Sequence, residues 1–177
     1  TGNQNIVLPD VPDARLGSLL EEPLIKEFPY APSEIMRGLV ACTGTDFCNL
    51  AVIEVKDVAV KVARALEGRL PKTQPLTMHW SGCPAGCGNH QQADIGFLGK
   101  KIKVDGVVQD GVDIYVGGRS GPAGTRPLRI IEDIPLTEVE NLLVGMVQYH
   151  PRQKLVDALR KRTADFTSTT RSTQPVL

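Results

Sequence analysis

Two pairs of cysteines, Cys42-x5-Cys48 and Cys83-x3-Cys87, constrain this chain more than any other feature. They are separated by 34 residues, and each pair follows a segment that reads as a β-strand. Each pair therefore lies in a loop at a strand end, where functional residues gather. The local sequences are Cys42-Thr43-Gly44-Thr45-Asp46-Phe47-Cys48 and Gly82-Cys83-Pro84-Ala85-Gly86-Cys87-Gly88. Glycine lets backbone N–H groups approach a ligand closely. Sulfide and thiolate are negatively charged, and donors of that kind also set a cluster's reduction potential. Four readings stay open on spacing alone. One is a pair of disulfides, although a chain that buries about two-thirds of its unfolded surface needs none. Another is a structural zinc site, whose usual two-to-four-residue spacing fits the second pair and not the first. The third is four unrelated buried thiols, and the last is a four-iron cluster, which needs four thiolates at one point.

The rest of the chain frames those loops. Residues 3–8 read as a short extended piece stopped by Pro9 and Pro12. Helical spacing of Leu16, Leu19, Leu20, Leu24, Ile25 and Phe28 covers Ala14 to Tyr30, with Pro23 splitting it. Pro29 and Pro32 force a turn, and Gly38 to Cys42 reads as a buried strand. The clearest helix spans about Leu50 to Arg69, with Val55, Val58, Ala59, Val62, Leu66 and Leu70 on one stripe; Gly68 and Pro71 supply its stop. Leu76, Met78 and Trp80 alternate with Thr77, His79 and Ser81, the pattern of a half-buried strand.

Ala93 to Leu98 is a further strand, followed by a hairpin of Lys101–Val104 and Val107–Gln109 about Asp105-Gly106. Val112–Val116 and Leu128–Ile131 add two strands. Thr137 and Glu140 have capping-box spacing before a helix carrying Val139, Leu142, Leu143, Met146 and Val147. Pro151 ends it, a shorter helix surrounds Leu155 and Leu159, and residues 167–177 read as a disordered tail. This order predicts an α+β fold, a layered mixed sheet with helices on one face, rather than strict βαβ alternation.

Composition excludes several function classes. Across 177 residues, twenty Lys plus Arg balance twenty Asp plus Glu, so no net field attracts nucleic acid or a lipid surface. No apolar run approaches the length of a membrane span. The chain begins at Thr1 without a leader, so any targeting segment is expected to be absent or removed.

At the cysteines the residues carry a resemblance. Thr43-Gly44-x-x-Phe47-Cys48 followed by Gly82-Cys83-Pro84-x-x-Cys87 resembles the signature of the sirohaem-containing nitrite and sulfite reductases. It is densest from Cys42 to Gly99 and extends more weakly from Thr1 to about Arg152. Met78-His79-Trp80 before the motif and Ala93-Asp94-Ile95-Gly96-Phe97 after it are closer to the ferredoxin-dependent nitrite reductases; the Arg-Pro pair that sulfite reductases more often carry soon after the last cysteine is missing. The resemblance implies that Cys42, Cys48, Cys83 and Cys87 bind a four-iron four-sulfur cluster and that the Cys87 thiolate is shared with the iron of a sirohaem. It further implies reduction of nitrite to ammonia with electrons from reduced ferredoxin.

Two departures matter. Ala85 stands where the family commonly has Asn, which bears on the loop's backbone hydrogen bonds. Full family enzymes are also much longer, and their substrate-binding Arg and Lys residues lie upstream of the matched region. Thr1-Gly2-Asn3-Gln4-Asn5 resembles a Thr-x-x-Gln-Asn motif from the interior of such enzymes. On this reading residues 1–166 are a C-terminal cluster and sirohaem domain, with 1–35 the end of a preceding repeat. The chain is then a fragment without catalytic residues, inactive alone, in which either cofactor can be absent and which is completed by a missing N-terminal part. Sulfite reduction, or a non-catalytic metal-binding domain, are the alternatives.

Other residues are weaker candidates. Arg119 and Arg126 lie in a Gly-rich segment and are candidates to pair a haem carboxylate, against an ordinary solvated loop. His79 and His90 flank the second pair, as possible donors around the cluster or simply as structural histidines. Trp80 reads as core, and Arg160, Lys161 and Arg162 as a solvated helix end rather than a ferredoxin contact. Ligating thiolates imply a reducing compartment, cytoplasm or plastid stroma.

Overall fold

The computed structural model describes residues 1–67, 69 and 75–149. Its centre is a five-stranded mixed sheet in the order β1-β2-β3-β4-β5. The strands are β1 (Leu39–Ala41), β2 (Met78–Ser81), β3 (Ile95–Val104), β4 (Val107–Val116) and β5 (Leu128–Pro135). β1 pairs parallel with β2, and β2 with β3; β3, β4 and β5 run antiparallel. The expected strand and hairpin pieces at 93–116 are one long hairpin of two ten-residue strands. Asp105 and Gly106 both have positive φ, the geometry a two-residue hairpin turn requires.

Helices cover one face. Before the sheet come α1 (Asp13–Leu20), α2 (Pro23–Glu27) and α3 (Glu34–Arg37). Pro23 opens α2 at its first position, so the proline splits the stretch as expected. The short α3 was missed because four residues give no periodicity; Ser33 caps it by accepting the Met36 N–H. α4 (Lys56–Glu67) crosses from β1 to β2, and its Ala59, Val62, Ala63 and Leu66 are buried. It starts six residues later than Leu50, because 51–55 is held as loop against Gly82. The expected stop at Gly68 and Pro71, with Leu70, lies outside the described residues. α5 (Val139–Tyr149) opens on a 3-10 turn at Leu136–Glu138, not on a capping box at Thr137, and buries Val139 and Leu143. The second C-terminal helix, the Arg160–Arg162 cluster and the tail also lie outside the described residues.

Trp80 and Phe97 anchor the core. Their rings stack at 3.7 Å with planes 12° apart. The expectation of a half-buried β2 does not hold, since all four of its residues are buried. The reason is the segment after Cys87, which doubles back beneath the sheet and covers His79 and Ser81. Residues 3–8 form no strand and are mostly exposed.

Candidate metal centre

β1 and β2 are parallel neighbours, with Ala41 opposite Trp80, so both cysteine loops leave the same end of the sheet side by side. Cys42 continues the ladder, its N–H donating to Trp80 O at 3.0 Å. Cys83 follows β2 by two residues. Between the loops stands Gly82, whose N–H donates to Cys42 Sγ at 3.1 Å. Its carbonyl accepts the N–H groups of Val52 (2.9 Å) and Ile53 (3.4 Å). A Cβ at Gly82 would crowd Ile53 O at 2.9 Å, so a glycine is required where the two loops touch.

Each loop turns on a left-handed glycine. Gly44 has φ +68° and its carbonyl accepts the Cys48 N–H at 3.1 Å; Ala51 N–H donates to Cys48 O at 3.2 Å. In the second loop Gly86 has φ +72°, its N–H donates to Cys83 O at 3.1 Å, and its carbonyl accepts the Asn89 N–H at 2.8 Å. These successive turns keep each pair within one short loop at the same end of the sheet.

The second loop is fastened beneath β2 by a buried polar set. Ser81 Oγ accepts the Gly88 N–H at 3.2 Å and meets His90 Nδ1 at 3.0 Å. His79 Nδ1 donates to Asn89 O at 3.0 Å. Burial lowers the pKa of both histidines; for His79 it outweighs the Asn89 carbonyl and the charge of Asp94, which act in the opposite direction. Both imidazoles are therefore neutral structural struts. Neither the sequence pattern nor spacing signalled Ser81 in this role.

All four cysteines are free thiols, so the two-disulfide alternative is not what forms. Cys83 is buried at 8% exposure, Cys42 and Cys48 are half-buried, and Cys87 is exposed. Among the described residues, no group of three or more His, Cys, Asp or Glu side chains is arranged to hold one metal ion. A single zinc needs its ligands closed round one point, whereas a cubane spreads its four iron corners and accepts thiolates standing further apart. The donor set fits the cluster in kind, with four free thiols at one sheet end and a backbone N–H already directed at one sulfur. Phe47 (83% exposed) and Leu50 (74%), on either side of Cys48 in the sequence, are exposed apolar side chains.

The loop carrying Arg119 and Arg126 lies elsewhere. It follows β4, whose last residue Val116 pairs with Ile95, the first of β3, and Ile95 pairs with Met78, the first of β2. It thus leaves the sheet at the end opposite the cysteine loops. Arg119 bridges Thr125, and both arginines are exposed. The structure does not bring them to the cysteines.

Three further side chains converge on the first loop without having been singled out for it. Gln4 straddles the outer edge of β1, Nε2 donating to Ala41 O at 2.7 Å and Oε1 accepting the Ala41 N–H at 3.2 Å. Lys56 Nζ donates to the same carbonyl at 3.3 Å. The Glu54 carboxylate lies against Gly44, where any Cβ would overlap it. Glycine at 44 was the one legible hint.

The family model described as nitrite and sulphite reductase 4Fe-4S domain matches residues 34–166. The ferredoxin–nitrite reductase of Synechococcus elongatus is 46% identical over 121 residues, covering 68% of this chain and 24% of that protein. The chloroplastic ferredoxin–nitrite reductase of Zea mays is 52% identical over 124 residues, covering 68% and 22%. The solved structure of the NirA protein of Mycobacterium tuberculosis superposes with a TM-score of 0.69 at 30% identity, covering 80% of this chain and 27% of that one. The chain thus spans about a quarter of the length of the relatives it matches.

Proposed function

The chain belongs to the nitrite and sulphite reductase 4Fe-4S domain family, and on that footing we propose that Cys42, Cys48, Cys83 and Cys87 hold a four-iron four-sulfur cluster within a ferredoxin-dependent nitrite reductase. The observation that carries the reading is the adjacency of two free cysteine pairs at the ends of neighbouring parallel strands, with Gly82 N–H donating to Cys42 Sγ. When bound, the cluster and a sirohaem supply the one-electron transfers by which nitrite is reduced to ammonia.

The residues of this chain hold, orient and shield. Cys83 offers a sulfur from inside the protein, while the exposed Cys87 presents its thiolate outward, which suits a ligand shared with the sirohaem iron. Gly82 stabilises negative charge on the Cys42 sulfur through its N–H. Ser81 and His90 keep the turn behind Cys87 from shifting, through the Gly88 N–H and the imidazole contact. Gly44 and Gly86 admit the backbone turns that aim the thiols. Residues 1–166 act as the cluster and haem domain, with the remainder of the substrate site supplied from outside the described sheet. Reduced ferredoxin is the electron donor, and a reducing compartment, cytoplasm or stroma, is where the thiolates persist.

The test is an absorption spectrum with iron and acid-labile sulfide analysis on full-length protein prepared anaerobically, followed by turnover with reduced ferredoxin. Iron–sulfur and sirohaem bands, with ammonia formed from nitrite, are expected. One zinc and no colour would sink the assignment. Faster turnover of sulfite than of nitrite would move the protein to the other branch of the family.

A further inference from the structure

Two opposite charges supplied from one short stretch of chain lie against residues on either side of Cys42 in the sequence, Ala41 and Gly44. On one side, Lys56 Nζ donates at 3.3 Å to the carbonyl of Ala41, the residue bonded to Cys42. Gln4 holds that same peptide from the sheet edge with bonds of 2.7 and 3.2 Å, so the anchor for the ammonium is fixed. On the other side, the Glu54 carboxylate presses on Gly44, two residues beyond Cys42, filling the space where a side chain would start. Its Oε1 accepts the Lys56 backbone N–H at 2.6 Å, while Oε2 is buried with no hydrogen-bond partner among the described residues. Among those residues neither Lys56 nor Glu54 enters a salt bridge. Neither charge is cancelled by a direct partner, and both are half-shielded from water, so solvent screens them less than it does fully exposed charges.

We propose that Lys56 and Glu54 are opposed potential-setting residues for the cluster held at Cys42, the ammonium raising its reduction potential and the carboxylate lowering it. The inference rests on the cluster assignment above. Reduction adds one electron to the cluster. A cation beside a ligand favours the added negative charge and an anion disfavours it, and net charge around the sulfurs is one of the levers on such potentials. Both side chains come from the loop-to-helix junction at 54–56, so a single three-residue segment balances the site. Gln4 is the positioning residue that keeps the lysine's acceptor in place.

The experiment uses full-length protein assembled anaerobically, as wild type and as Lys56→Met, Lys56→Arg, Glu54→Gln and the double variant Glu54→Gln/Lys56→Met. Iron and acid-labile sulfide are measured first. Wild-type protein lacking the cluster refutes the cluster assignment itself and is thereby distinguished from failure of the present inference. In cluster-loaded protein, a redox titration followed by electron paramagnetic resonance reads the potential. Lys56→Met should lower it and Glu54→Gln raise it. Each shift should be on the order of a tenfold change in the oxidised-to-reduced ratio, about 59 mV for one electron. Lys56→Arg and the double variant should lie close to wild type. A purely structural role, acting through loosened loops or admitted solvent, would move both single variants in the same direction. That outcome, or unmoved potentials at full iron content, overturns the proposal. If Lys56→Met fails to hold a cluster, Glu54→Gln decides alone, and absence of an upward shift overturns it.

Discussion

A single methyl group tests how tightly backbone meets backbone around the cysteine loops. At Gly88 an added Cβ would overlap the carbonyl of Trp80, and at Gly96 that of His90. Neither obstacle is a flexible side-chain end, so relief requires moving β2 or the returning segment. Gly88→Ala should therefore cost at least the ~3 kcal/mol upper end of ordinary overpacking, read as a lower urea midpoint. Gly17→Ala is the control. Gly17 lies within α1 with nothing within 4 Å of its added Cβ, so alanine there should gain up to about 1 kcal/mol through helix propensity. Cys87→Ser is different again. Cys87 is exposed, so the fold should survive with an unchanged unfolding midpoint, while in the full-length protein the shared-thiolate role proposed above predicts loss of sirohaem absorption and of nitrite turnover. Retained full activity would contradict the shared-thiolate role.

At the scale of elements, α4 and β2 define the frame. Leu66 is fully buried on the stripe of α4, and Leu66→Ala should destabilise by about 2–5 kcal/mol in chemical unfolding. β2 is sealed on its second face by the returning segment, whose Asn89 carbonyl meets His79 of the strand and whose His90 meets Ser81. That sealing has a pH signature. Burial holds both imidazoles below the ordinary value of 6.5, so the native state keeps them neutral where the unfolded chain has begun to take up protons. The unfolded state then binds more protons, and stability falls as pH drops through 6.5 towards the lowered native values. Urea midpoints at about pH 7.5 and about pH 5.5 should show this loss, and His90→Gln should flatten it. A pH dependence identical in the variant and the wild type would remove His90 from the account. On the antiparallel side, buried Asp113 is satisfied by Lys100 Nζ at 2.9 Å, Arg129 at 3.3 Å and the Asp133 N–H at 3.1 Å, a network that fixes β5 to the hairpin away from the cysteines.

For the molecule as a whole, the parallel half of the sheet presents the thiols and the antiparallel half is scaffold. Assembly of a cluster should therefore protect amides in 42–53 and 82–89 from hydrogen exchange and leave the β3–β4 hairpin unchanged, since ligand binding stabilises the segments it engages. Uniform protection across both halves would contradict that division. Much of this architecture was legible beforehand. The stripe of α4, the split at Pro23, the Asp105-Gly106 turn and the two Gly-flanked cysteine pairs are local patterns, set by side-chain period and by backbone positions that tolerate positive φ. What local pattern does not carry is which segments lie beside each other. The pairing of β1 with β2, the contact of Gly82 with Cys42, the burial of both faces of β2, and the convergence of Gln4, Glu54 and Lys56 on Ala41 and Gly44 join residues up to 40 positions apart. The amino-acid sequence alone determined which residue types stand in the two Gly-flanked loops and most of the elements that bear them. Only the tertiary structure decided the surroundings of the thiols, because strand order follows from burying apolar faces together and no period along the chain encodes it.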